Sequence, residues 1–213
     1  MGRHLSPDQI RLLLDLVKRL DRPRFRRNLY RALFLVLYCT GLRFGEALRL
    51  RVRDVDLRRG VLFVSDFKGR SRWVPMHPSL TSELAKCFRA RKHFVGGTEQ
   101  ADDHVFIGVN RRSLPISTAQ CTLRKLFRNA DLKPARGRVE PRPYDLRHTF
   151  AVHRLTRWYR QRVDLHARLP WLSVYLGHLD LLGTETYLNA TPELLALAGE
   201  RFRTRYQTTR RAS

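Results

Sequence analysis

The sequence has few of the residues that build disulfide-bonded or membrane proteins. It holds 3 cysteines in 213 residues, and no two of them have the Cys-x-x-Cys spacing of a zinc or redox motif. These are Cys39, Cys87 and Cys121, an odd and scattered set that fits a reducing cytoplasm. The longest apolar run, residues 32–39, is too short to span a bilayer, and the N-terminus lacks the apolar core of a signal peptide. These absences predict a cytoplasmic protein without membrane association.

Acidic residues are also scarce. Asp and Glu number 19 against 42 Lys and Arg, which gives a formal net charge of +23 and a sequence pI of about 11.3. Because 43% of the residues are hydrophobic, the chain can still bury a core, unlike a disordered polycation. Nucleic acid is the expected partner, since neutralised phosphates release condensed counterions. An anionic membrane surface would also suit the charge, but no amphipathic N-terminal anchor supports it.

Patterns that bind metals or cofactors are missing from the sequence. No carboxylate cluster has the spacing of a metal site, and no glycine-rich loop has the spacing that cradles a phosphate group. The sequence therefore predicts neither a metal ion nor a cofactor.

Hydrophobic periodicity predicts a mainly α-helical chain with a small antiparallel β-sheet, an α+β fold. Ser6 is the expected N-cap of the first helix. The apolar face of that helix is predicted to comprise Leu12, Leu13, Leu16, Val17 and Leu20. Further helices are predicted at about 24–39, 42–50, 79–93, 117–130, from 143 onward and at 191–199, with strands at 61–64 and 72–75. Residues 105–107 are expected to form a short strand or an extended segment.

Six cationic, imidazole or phenolic side chains are candidates for a reactive site. Arg43 and His178 each come just after a glycine that ends a helix, and Lys68 lies in the turn between the two strands. Tyr144 and Arg147 are three residues apart and share a helix face. Two arginines, one lysine, one histidine and one tyrosine, Tyr187, are what phosphoryl transfer to a tyrosine requires. The candidate catalytic residues are Arg43, Lys68, Tyr144, Arg147, His178 and Tyr187.

Three motifs and a tyrosine follow one another in a fixed order: Gly41-Leu42-Arg43-x-Gly45-Glu46, Asp145-Leu146-Arg147-His148-Thr149, Leu176-Gly177-His178 and finally Tyr187. In this order they resemble the catalytic domain of the tyrosine recombinases, the phage integrase family. The resemblance covers residues from about 6 to about 190. It implies the recombinase catalytic fold, and a site-specific recombinase that cuts and rejoins DNA through a covalent 3′-phosphotyrosine without metal or ATP.

The chemistry of the side chains and the resemblance assign the same roles. Tyr187 is the expected nucleophile, and its covalent intermediate conserves the bond energy for rejoining. The planar guanidinium groups of Arg43 and Arg147 are expected to clamp the non-bridging oxygens of the phosphate. Lys68 is the expected general acid for the leaving 5′ oxygen. His178 is expected to donate a hydrogen bond to the phosphate.

Tyr144 departs from the family pattern, because most members have histidine there. A phenol, with an ordinary pKa of about 10, is a poorer base, so we expect reduced or retuned chemistry. His148 points about 100° away from Arg147 on a helix and is a poor replacement. Glu46 and Asp145 are expected to orient the arginines. Tyr144 leaves open a catalytically silent DNA-binding relative with an accessory role; a basic RNA-binding protein would explain the charge but not the motifs.

The sequence predicts a catalytic domain over residues 1–199 and a flexible basic tail over 200–213. Typical family members carry a further N-terminal helical domain that grips DNA, and only a few residues precede the first predicted helix here. Either the sequence is a piece of a longer protein or the protein is a minimal recombinase, as the small fimbrial-switch invertases are. A one-sided grip predicts a homo-oligomer, dimer to tetramer, on double-stranded DNA, with residues 190–213 as a tail exchanged between subunits.

Overall fold

The computed structural model describes residues 4–65, 71–132 and 142–178, together with residues 184 and 187. The chain divides into two compact units, residues 2–150 and residues 151–213. The helices are α1 Pro7–Lys18, α2 Arg24–Thr40, α3 Phe44–Arg49, α4 Pro78–Val95, α5 Ile116–Asn129, α6 Tyr144–Arg160 and α7 Leu165–Leu176, and the strands are β1 Val55–Asp56, β2 Val61–Val64 and β3 Arg72–Pro75. None of these helices is both long and apolar enough to cross a bilayer. The predicted α+β class is confirmed.

Local capping signals begin the first unit as predicted. The Ser6 side chain accepts the backbone N–H of Gln9, and the Gln9 side chain accepts that of Ser6, which closes a capping box at the start of α1. The buried face of α1 carries Ile10, Leu13 and Val17. Leu12 was wrongly predicted to face the core, because it lies beside that stripe and is 44% exposed.

Helix α2 is the central helix of the first unit and packs against α1, α3 and α4. Its buried residues include the four that the periodicity predicts, Leu29, Leu33, Val36 and Leu37. Phe25 stacks on Phe94 of α4 with ring centroids 4.2 Å apart. The helix ends at Gly41, whose φ of 65° is left-handed and favours glycine.

The sheet has the order β1-β2-β3 and is antiparallel throughout. The strands β2 and β3 have the predicted bounds, whereas β1, only two residues long, was not predicted. Pairing of Val64 with Arg72, and of Phe63 with Trp73, places these pairs on opposite faces of the sheet. The predicted turn with Lys68 lies outside the described residues.

Residues 105–107 are buried but form no strand: Val105 and Phe106 lie in a bend, and Ile107 makes an isolated bridge with Ser113. The buried Arg91 of α4 fixes the loop of residues 99–104, which comes just before this segment. Its guanidinium donates to the carbonyl of His104 at 3.1 Å and to the Asp103 carboxylate at 3.1 Å, and it also pairs with Glu99.

The second unit contains the end of α6 and helix α7. The helical segment predicted from 143 onward contains two helices, because the chain turns at Arg162, whose φ is 58°, and Asp164 caps α7. Leu169, Leu172 and Leu176 form the buried side of α7. Gly177 ends it with a φ of 69°, as predicted. The predicted helix 191–199 and the tail 200–213 lie outside the described residues, and the extent of the catalytic domain stays a prediction.

The cysteines provide a test of the core. Burial raises the pKa of Cys39 to about 11 and of Cys87 to about 12, whereas Cys121 is exposed. At pH 8 only about one Cys39 thiol in a thousand is then a thiolate, so the folded protein should show one fast-reacting thiol. The absorbance of thionitrobenzoate released from Ellman's reagent measures this. A fast phase that survives Cys121→Ser would contradict the burial of the other two.

Candidate active site

Arg43 stands at the start of α3, where the left-handed Gly41 turns the chain out of α2. Its backbone N–H donates to Oε2 of Glu46 at 2.8 Å, and its Nη1 donates to Oε1 at 2.9 Å. The Glu46 carboxylate is buried, while the Arg43 side chain remains 42% exposed. Glu46 therefore orients Arg43, as the sequence predicts, and leaves the guanidinium accessible to a ligand.

Arg72 is the second partner of Glu46, and it was not among the predicted site residues. Its Nη2 donates to Oε2 at 3.0 Å and its Nη1 to Oε1 at 3.3 Å. The Arg72 side chain is only 8% exposed. A sequence signal was available, because strand alternation places Arg72 on the same face of the sheet as the buried Val64 and Val74.

Glu46 stays ionised in this environment. Burial raises the pKa of its carboxyl, but the hydrogen bonds from Arg72 and from the Arg43 backbone, with the charges of both arginines, outweigh burial and hold it below its ordinary value. The carboxylate is thus a fixed negative charge between two cations.

Arg147 reaches the same loop from α6. Its buried guanidinium donates from Nη1 to the carbonyl of Gly41 at 2.9 Å, two residues before Arg43 along the chain. Asp145 accepts the backbone N–H of Arg142 at 2.9 Å and so fixes the start of α6. The first unit therefore anchors Arg147 on the loop that leads to Arg43.

Tyr144 and His148 have opposite environments on α6. The Tyr144 ring is 54% exposed, whereas His148 is buried. The burial of His148 agrees with the expectation that it is a poor replacement for the histidine that most family members have at position 144. The phenol of Tyr144 is accessible to a ligand.

His178 and Tyr187 lie together in the second unit. Their ring centroids are 6.1 Å apart with an interplanar angle of 22°. The buried Thr184 joins them: its Oγ1 lies 2.7 Å from Nδ1 of His178, and its carbonyl accepts the Tyr187 backbone N–H at 3.1 Å. If the threonine hydroxyl donates to Nδ1, then Nε2 carries the imidazole proton and can donate it to a ligand. The Tyr187 side chain is buried, with the residue 3% exposed.

A basic and aromatic cleft of about 430 Å³ opens on the side of the sheet opposite Arg72. Arg51 and Arg53 share the carboxylate of Asp102, at 2.8 and 2.5 Å. The Trp73 ring is 62% exposed and lies 4.9 Å from Phe63 between centroids. The cleft is lined by Arg49, Arg51, Arg53, Asp54, Phe63, Ser65 and Trp73. Such a surface offers cations to phosphates and an aromatic face to bases.

The described residues contain no group of three or more His, Cys, Asp or Glu side chains placed to hold a metal ion. Lys68 lies outside the described residues, so its role in the site stays a prediction.

The sequence profile of the phage integrase family matches residues 3–193. The chain belongs to the phage integrase family. A Sinorhizobium fredii protein named "Putative integrase/recombinase y4rB" is 35% identical over 195 residues, covering 91% of this chain and 62% of that protein. Tyrosine recombinase XerA of Pyrococcus furiosus is 28% identical over 207 residues, covering 94% of this chain and 62% of XerA. The chain thus spans about three fifths of the length of these relatives.

Solved structures show the same fold. The crystal structure of XerA recombinase superposes with a TM-score of 0.72 at 24% identity, covering 95% of this chain and 64% of that one. XerH recombinase, in a post-cleavage complex with a palindromic difH substrate, gives a TM-score of 0.72 at 19% identity and covers 95% of this chain and 54% of XerH. The predicted family and catalytic-domain fold are confirmed.

Glu46 is expected to make the stability of this integrase-family fold depend on acid pH. Because its folded-state pKa lies below the ordinary 4.5, its contribution is complete above that pH and is lost as the pH falls through the folded value. Glu46→Gln should lower the free energy of unfolding by about 2–4 kcal/mol at pH 6, since it strands the buried Arg72 charge. The deficit should shrink toward pH 3.5 in urea titrations. Asp8→Asn, at an exposed ion pair, should leave the free energy of unfolding unchanged at both pH values. A Glu46→Gln deficit that does not depend on pH would refute the role given to the Glu46 carboxylate.

Proposed function

We propose that this chain is the catalytic part of a site-specific DNA recombinase of the tyrosine type. The observation that carries the proposal is the bond from Arg147 to the Gly41 carbonyl, since it anchors one cationic fork on the loop of the other. Two guanidinium groups so arranged are suited to one phosphodiester, whose negative charge otherwise repels a nucleophile. Membership of the phage integrase family supplies the reaction class.

In the proposed reaction, the Tyr187 Oη attacks the scissile phosphorus and releases its proton to solvent, while the bond to the 5′ oxygen breaks. The 5′ oxygen takes a proton, for which Lys68 is the proposed donor, and a 3′-phosphotyrosine remains. Arg43 and Arg147 neutralise the non-bridging oxygens, and His178 donates from Nε2. Attack by a 5′-hydroxyl of another strand reverses these steps and rejoins the DNA.

Tyr144 takes the place where most family members have a histidine. We propose that its exposed phenol donates a hydrogen bond to the phosphate or to the nucleophile. It does not replace a base near neutral pH, so the attack step is slower than with imidazole. This residue is also the observation that favours a catalytically silent accessory DNA-binding protein as the second candidate.

Double-stranded DNA is the proposed partner. The net charge of +23 and the arginine-lined cleft both suit a polyanion. Solved relatives include XerH on difH and a λ integrase dimer on a core site. We propose that this chain likewise acts on DNA as a dimer or tetramer, in the cytoplasm.

Covalent trapping tests the proposal. The protein is incubated in EDTA with nicked duplexes that carry the end sequences of its own element, and the products are separated on a denaturing gel. We expect a protein–DNA adduct, and mass spectrometry of its peptides should place the phosphodiester on Tyr187. Tight duplex binding without an adduct would favour the accessory protein. Fusion of a helical DNA-binding domain to the N-terminus then distinguishes a silent site from weak engagement of the DNA.

A further inference from the structure

We propose that Arg72 is a positioning residue for strand cleavage. It neutralises and orients the Glu46 carboxylate from its buried side. Glu46 can then orient the Arg43 guanidinium without cancelling its positive charge. The inference rests on the proposed function, because it assigns Arg72 a part in that reaction.

The two arginines on Glu46 differ in accessibility. Both donate to the same carboxylate, yet the Arg43 side chain is 42% exposed and that of Arg72 is 8% exposed. Both Nη atoms of Arg72 donate to Glu46, so its guanidinium is directed at the carboxylate. Arg43, with its more exposed side chain, is the one of the two that a phosphate can reach. The pair therefore divides into one ligand-facing cation and one supporting cation.

The charge balance explains why support is needed. Arg43 and Glu46 alone form a neutral pair, and a phosphate approaching that pair meets no net positive charge. With Arg72, the trio carries one net positive charge, and the carboxylate is already satisfied on its buried side. Arg72 thus lets Glu46 hold Arg43 in place without cancelling its attraction for the phosphate.

The sheet fixes the position of Arg72. It is the first residue of β3 and pairs with Val64, the last residue of β2, so its side chain is directed to the same face as the buried Val74. The two bonds to Glu46 then tie the β2–β3 ladder to the first turn of α3. This connection joins segments that local sequence alone does not bring together.

Arg72→Met tests the inference through the single-turnover rate of adduct formation at saturating DNA. We expect the rate to fall about 10- to 100-fold, less than for direct loss of a phosphate donor, with duplex affinity unchanged within about threefold. Arg72→Lys keeps a neutralising cation and should stay within about fivefold of wild type. If Arg72→Met fails to fold, the single-turnover rates of Arg72→Lys and Arg72→Gln are compared instead.

Arg31→Met is the matched control. It removes another partly buried arginine–glutamate pair of the same unit, Arg31 with Glu83 at 2.8 Å. Its loss of stability should be similar or smaller, and its cleavage rate should be unchanged. An equal rate loss in the Arg31 and Arg72 variants would mean that both act only through folding, and would overturn the inference.

A double-mutant cycle separates positioning from general support. In an Arg43→Ala background, Arg72→Met should cost less than about twofold, because the residue it positions is gone. An equal reduction of the cleavage rate in both backgrounds, or no reduction in either, would refute the inference. Adduct formation by the wild type would still uphold the proposed function.

A readout without catalysis covers the case in which the wild type forms no adduct. The ¹⁵Nε signal of Arg43, identified by its absence from Arg43→Ala, reports the guanidinium directly. Arg72→Met should shift or broaden this signal, and Arg31→Met should leave it unchanged. An unaltered signal refutes the positioning by Arg72 whether or not the proposed function stands.

Discussion

Tyr187→Phe is expected to abolish the covalent protein–DNA adduct, a loss of at least about 10³-fold in single-turnover assays. Phenylalanine retains the buried ring and its place 6.1 Å from the His178 ring, but it has no Oη to form the phosphodiester. Because the packing is conserved, the free energy of unfolding should change by less than about 1.5 kcal/mol. Duplex affinity, measured by fluorescence anisotropy, should stay within about threefold.

Tyr144→Phe is the matched phenol control for this result. Its ring is exposed and its loss removes only a proposed hydrogen bond, so adduct formation should continue at a rate about tenfold lower. An adduct of normal yield in Tyr187→Phe would show that another residue is the nucleophile. Loss of the adduct in Tyr144→Phe alone would assign that role to Tyr144 and overturn the proposed chemistry.

Arg147→Ala is expected to slow cleavage by about 10²–10³-fold, because it removes a preorganised donor to the phosphate oxygens. It should also lower the free energy of unfolding by about 1–3 kcal/mol, since the Gly41 carbonyl loses its partner at 2.9 Å. Arg147→Lys keeps the charge but lacks the planar fork. A single ammonium group cannot bond the Gly41 carbonyl and the phosphate together as the guanidinium does. We expect its rate to lie between those of the alanine variant and the wild type.

Two comparisons separate chemistry from folding at Arg147. A methylphosphonate at the scissile position carries no charge on its non-bridging atoms, so the rate deficit of Arg147→Ala should shrink to less than about tenfold on that substrate. Arg91→Ala removes another buried arginine of the same unit, bonded to Asp103 and to the His104 carbonyl. It should destabilise the protein without changing the ratio of the cleavage rates on the phosphodiester and the methylphosphonate. A full deficit on the neutral substrate would show that Arg147 serves folding alone.

The alternating and helical patterns predicted much of the fold because they depend on neighbours in sequence. The Ser6 capping box, the buried face of α2 and the limits of β2 and β3 all follow from local spacing. The ends of helices at Gly41 and Gly177 follow from the left-handed conformation that glycine adopts without strain. The family was predicted by the resemblance of the motifs in their order, and the family profile that matches residues 3–193 confirms it.

Tertiary structure alone decided which arginines are structural and which are accessible. Arg72 reaches Glu46 across 26 residues and Arg147 reaches Gly41 across 106. Strand alternation indicates the face on which Arg72 lies, but no local pattern identifies the distant partner of either guanidinium. Burial of a charged group is tolerated only where the fold supplies a partner, and that partner comes from a distant segment. The sequence by itself predicted most of the described helices, the hairpin strands and the candidate reactive residues. The packing of distant segments determined that Arg72 supports Glu46, that Arg43 stays accessible and that the Tyr187 side chain is buried.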